Sequence, residues 1–160
     1  MEEYQILMKE SLRLLNTADH LAYMTYPMLD DPKLLITIAQ NLYNALMKSV
    51  EAILIYERTF KRIPGFTNSF NDKMHMFREA CLDKYDLSRE GFLVLKDLKE
   101  ILDEHSKSAV EFRRKNDFVI CSDNFRLKTL SLVRIKDLIY KSKPFIEKAN
   151  RLIGRRLWMT

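Results

Sequence analysis

The sequence predicts an all-α protein, a bundle of four or five helices interrupted by one short excursion. Three observations carry that class. The stretch from Pro32 to Phe60 is apolar around most of its circumference at helical spacing. Further segments repeat apolar residues at three- and four-residue steps. The 160 residues include only 3 Gly and 4 Pro, fewer turn residues than a strand-rich fold needs. With 47% hydrophobic and 31% charged residues, the whole chain from 1 to 160 reads as one domain with a sizeable core.

The central stretch sets the plan. Lys33, Thr37, Asn41, Asn44, Lys48 and Glu51 form one narrow polar stripe, and Leu35, Ile38, Leu42, Leu46, Val50 and Ile53 represent the apolar remainder. Such a helix has to be contacted on several sides. Asp31 before Pro32 opens it, since the carboxylate accepts from free N–H groups and proline gives up a donor the first turn does not need.

Before it, Glu3 to Met24 is amphipathic. Ile6, Leu7, Leu14, Leu15, Ala18, Leu21 and Ala22 make the buried face, opposite Lys9, Arg13, Asn16, His20 and Tyr23. Pro27 and the Asp30-Asp31-Pro32 turn end this helix, and the short link predicts antiparallel packing on the central one. After Ile63-Pro64-Gly65, Asn68 or Ser69 caps a third helix to about Tyr85, with Met74, Phe77 and Cys81 inward. Ser88 caps a fourth, carrying Phe92, Leu95, Leu98 and Leu102, with Gly91 in its first turn.

Between Ser106 and Thr129 helical spacing disappears. Residues 110–112 and 118–121 are β-prone and flank the turn Arg114-Lys115-Asn116-Asp117, which predicts a hairpin resting on the bundle through Phe112, Phe118 or Ile120. From Ser131 a last helix runs towards Leu157. Pro144 predicts a kink or a restart capped by Ser142.

Charge is uneven along the chain. Residues 1–60 carry 5 basic and 8 acidic side chains, residues 61–105 carry 8 and 9, and residues 106–160 carry 14 and 5, so the last third is +9. This predicts an anion-attracting surface. Arg113, Arg114 and Lys115 cluster at the hairpin tip, Asn124, Phe125, Arg126 and Lys128 follow as a polar loop, and Arg155 and Arg156 add to the tail with Trp158 nearby. Guanidinium forks suit phosphate and Phe125 offers a stacking surface for an unpaired base, so these residues are the candidate nucleic-acid contacts. The competing reading is a charged surface loop whose Phe tucks into the bundle.

Arg13 and His20, seven apart, fall on one helix face. A histidine beside a fixed cation has the equipment of an acid or base acting on a phosphodiester, against the plainer reading of a solvated stripe. His105 closes the fourth helix and is expected at its last carbonyls. Cys121 and Ser122 have no histidine nearby in sequence to activate them. Cys81 and Cys121 lack any metal or disulfide spacing, so neither a disulfide framework nor a structural zinc site is expected, and no motif calls for a metal or a cofactor. The acidic start and the absence of a long apolar run predict neither a leader nor a membrane span, which leaves the cytoplasm as the expected location.

The helix order, with NALMKSVEAILIYE in the second helix and KSKPFIEKANRLI in the last, resembles the HEPN superfamily. That resemblance implies a four- or five-helix bundle, commonly a homodimer, acting as a metal-independent ribonuclease or as an RNA-binding partner of nucleotidyltransferases. The superfamily motif is Arg, four to six residues, then His, late in the bundle. Here Arg13 to His20 matches it in the first helix only, and His105 precedes the late arginines. The expectation is therefore a non-catalytic domain that binds RNA or a partner protein. The alternative is a nuclease using Arg13 and His20.

Overall fold

The computed structural model describes residues 1–108, 110–122 and 126–154. It is the predicted helical bundle, with the excursion built as a three-stranded antiparallel sheet before the last helix. Helix α1 spans Glu3–His20, α2 Leu34–Thr59, α3 Phe70–Phe77, α4 Arg89–Lys107 and α5 Leu132–Gly154. Strands β1 (Val110–Arg114), β2 (Asp117–Cys121) and β3 (Leu127–Leu130) lie in the order β1-β2-β3. No helix among the described residues is long and apolar enough to cross a membrane.

Helix α2 is in contact with α1, α3, α4 and α5, as its all-round apolarity requires. Leu35, Ile38, Leu42, Leu46, Ile53 and Leu54 are fully enclosed. Helix α2 begins at Leu34 rather than Pro32, with Lys33 as its N-cap and no side-chain cap. The Asp31 carboxylate accepts the Lys33 amide at 3.0 Å in the turn before it, whereas Ser69 and Ser88 each cap a helix by accepting the amide three residues on.

The first helix differs from the sequence reading. It does not stop before Pro27: a π turn at Leu21–Thr25 carries it into a last turn at Tyr26–Leu29 that contains the proline. Proline has no N–H and its ring crowds the carbonyl four residues back, and a wider turn accommodates both defects. The chain then reverses through Asp30 in the left-handed region. Ile6 is exposed rather than buried, while Tyr4, Met8 and Ser11 face the core. The Ser11 hydroxyl donates to the Ala45 carbonyl at 2.6 Å, tying α1 to α2.

The last helix does not restart at Pro144. Ser142 is no cap; its hydroxyl donates back to the Leu138 carbonyl at 2.6 Å. Pro144 lies on the exposed face, where water can serve the carbonyl that loses its partner. Gly91 has a packing role. A Cβ built there would stand 2.5 Å from Cβ of Phe145, so only glycine lets α4 and α5 approach this closely.

At the end of α2, Glu57 is completely buried. Lys84 Nζ donates to its carboxylate at 2.8 Å, Tyr85 donates its hydroxyl, and Arg62 reaches it at 3.4 Å. Burial alone pushes the Glu57 carboxyl up; hydrogen bonds from Lys84 and Tyr85, with the Lys84 and Arg62 charges, outweigh this and hold it below its ordinary 4.5. This one carboxylate fastens α2 to the turn between α3 and α4. Nearby, burial and the Glu57 charge push the Cys81 thiol up to about 12, so it is inert as a nucleophile.

Two stability outcomes are expected. Glu57→Ala should lower unfolding free energy by about 3 kcal/mol in a urea titration, because it strips a buried acceptor from three donors. Glu57 titrates lower in the folded than in the unfolded protein. Its contribution is therefore full above pH 4.5 and lost as pH falls through the folded value, so the wild type should shed more stability on acidification than Glu57→Gln. Gly91→Ala should cost about 1–3 kcal/mol through overpacking against Phe145, read in the same titration.

Candidate nucleic-acid interface

The sheet stands on the bundle through alternate residues of its middle strand. In β2, Phe118 and Ile120 join the core with Leu130 of β3, and the register aligns Arg113 with Phe118 and Leu130, and Glu111 with Ile120 and Lys128. That inward face is tethered to α4 by two polar pairs. Lys128 meets Glu100 at 2.6 Å, and His105 Nδ1 lies 2.6 Å from Glu111 Oε1. His105 thus contacts a strand carboxylate as well as closing its helix, a pairing that separation in sequence hid. The hairpin tip is held separately. Tyr26 donates to the Asn116 carbonyl at 3.2 Å, and Arg113 reaches Asp30 at 3.3 Å.

The predicted contact residues divide into three groups. Arg113, Arg114 and Lys115 do cluster at the tip, with Lys115 in the left-handed region of the turn. Arg113 is engaged by Asp30 and by the Lys115 carbonyl. Arg126 lies at the opposite end of the sheet, next to the row Val110–Cys121–Leu127, four strand steps or about 14 Å from the tip. Lys128 is occupied by Glu100. Asn124, Phe125, Arg155 and Arg156 lie outside the described residues.

The basic third is thus partly consumed at home. Beyond Arg113–Asp30 and Lys128–Glu100, Lys143 pairs with Asp19 at 2.8 Å and Lys148 with Asp86 at 3.6 Å. These four carboxylates all come from the acidic part of the chain. Each pair is partly exposed and worth at most about 1 kcal/mol. Among the described residues Arg114, Lys115 and Arg126 make no ion pair, although Asp117 stands opposite Arg114 in the register, and Arg134 lends its charge to Glu100.

Sequence reasoning missed the outward face of the sheet. Phe112 does not help seat the hairpin: it points away from the bundle and is 42% exposed, beside Val110 and Leu127. The alternation of β1 points the other way, because Phe112 shares a face with apolar Val110 while Glu111 and Arg113 share the opposite one.

Arg13 and His20 are both exposed. Arg13 is held in an ion pair by Glu10, and the His20 ring has no partner among the described residues. Seven helical residues separate them by about 10 Å along the axis. Cys121 is half-buried, with its thiol directed to the Ser122 carbonyl at 3.7 Å. Among the described residues no three His, Cys, Asp or Glu side chains gather to hold a metal ion. No family model matches the chain, and no curated protein matches it.

Substituting an exposed, unpartnered histidine should change little: His20→Ala is expected to hold stability within about 0.5 kcal/mol by chemical denaturation. RNA incubated with the wild type and a chelator should stay intact on a sequencing gel. Cleavage that disappears in His20→Ala would restore the nuclease reading.

Proposed function

We propose that the protein is a non-catalytic RNA-binding domain whose contact surface is the sheet and the start of α5. One observation carries this reading. Among the described residues, Arg114, Lys115 and Arg126 make no ion pair and stand at the two ends of a small sheet that is fixed to the bundle at both ends, with Arg134 close by at the start of α5. Fixed cations hold phosphates at low entropic cost, and guanidinium groups meet phosphate oxygens in pairs. The resemblance of the helix order to the HEPN superfamily is in keeping with an RNA-binding role. Its cleavage chemistry would fall to Arg13 and His20, whose place in the first helix and Glu10 pairing speak against it.

Phosphate contacts release counterions, so affinity should fall steeply with salt. Labelled single-stranded RNA titrated at several salt concentrations tests this. Replacing Arg114, Lys115 and Arg126 together with alanine should weaken binding and flatten the log–log salt slope by about 2, at roughly 0.7 for each phosphate lost. Identical slopes for the two proteins would mean that these cations are only a solvated face.

A further inference from the structure

We propose that Phe112, on the outward face of the sheet, is a stacking platform for an unpaired base, so that this surface selects single-stranded over duplex nucleic acid. The proposal rests on the RNA-binding reading and gives it a ligand class.

Successive residues of a strand point to opposite faces. Phe118 and Ile120 belong to the core, so Val119 between them points outward. Val119 is nevertheless only 2% exposed and belongs to no part of that core. It is the floor of a second, outer apolar layer, paired directly with Phe112 on β1 and Thr129 on β3. Around this floor Phe112, Val110 and Leu127 are 42%, 54% and 56% exposed. Phe112 thus stands beside a buried valine on the sheet and keeps a large share of its surface open to water.

Size decides against a stable protein partner. Two strand spacings across and four residues along give a face of about 10 by 14 Å. That is on the order of 150 Å², while each partner in a standard protein interface buries about 800 Å². A base fits within a patch of that size. Charge points the same way: Arg114 and Lys115 bound the face at one end and Arg126 at the other, with Asp117 as its one acidic residue. An apolar ring between cations is the arrangement that takes a base between its phosphates. Bases in a duplex are stacked on each other and cannot reach a flat platform.

The test compares an unstructured oligouridylate with a duplex RNA of the same length, by fluorescence anisotropy at low salt. The wild type should bind the single strand at least about tenfold more tightly. Phe112→Ala should weaken single-strand binding by about ten- to a hundredfold, within the range for losing one stacked base. Its duplex binding and melting temperature should match the wild type, and Phe112→Tyr should restore the single-strand affinity. Unchanged binding by Phe112→Ala, or a preference for duplex, would overturn the proposal. In that case loss of binding on removing Arg114, Lys115 and Arg126 would leave the RNA-binding reading standing. No RNA bound by the wild type at low salt would overturn both. Self-association abolished by Phe112→Ala, with RNA binding intact, would give the face to a second copy and also overturn the proposal.

Discussion

A helix that is apolar nearly all the way round cannot sit at a surface, and the rest of this molecule is the means of covering α2. Each Leu or Ile enclosed along it contributes about 1.5–3 kcal/mol relative to exposure, so no partner helix can be lost cheaply. Helix α1 returns along it, α3 and α4 cover further sides, and α5 closes the barrel of side chains. Glu57 is the exception that fixes the register of this packing. A carboxylate in the last turn of the central helix is costly unless donors converge on it, and Lys84, Tyr85 and Arg62 do so from two separate segments. Apolar burial accepts many arrangements; this set of hydrogen bonds accepts one.

The charge asymmetry has a structural side and an exposed side. Four carboxylates of the acidic part meet Arg113, Lys128, Lys143 and Lys148. At up to about 1 kcal/mol each such pairs add modestly to docking energy, but opposite charge on the two faces disfavours mispacked alternatives. Of the cations outside this pairing, Lys107, Lys136 and Arg151 lie on helices, while Arg114, Lys115 and Arg126 lie at the sheet with Arg134 beside it. The cations there are not a diffuse property of the C-terminal sequence. They occupy particular positions at the two ends of three short strands.

Much of the architecture could be read from the residues. The polar stripe of α2, the caps at Ser69 and Ser88 and the loss of helical spacing after Ser106 are local signals, and local signals survive folding. Ile6, Ser11 and Glu57 were not legible, because each depends on what stands opposite in space: Ala45 for Ser11, a turn nearly thirty residues later for Glu57. Pro27 misled because a π turn absorbs its missing donor, a remedy that propensity does not announce. The tip cluster of the candidate site was legible as a run of basic residues. Their division between Asp30, Glu100 and solvent was not, and neither was the outward turn of Phe112, since a strand's inner face is set by the helix it rests on.

Together these features separate a core built around α2 from a small working face built on the sheet. The most direct measurement is a map of backbone amide shifts in isotopically labelled protein as an unstructured single-stranded RNA is added at low salt. The account predicts changes centred on Val110–Arg114, Val119 and Leu127, with the amides from Arg13 to His20 unmoved. Changes centred on Arg13 and His20, with the sheet silent, would contradict it.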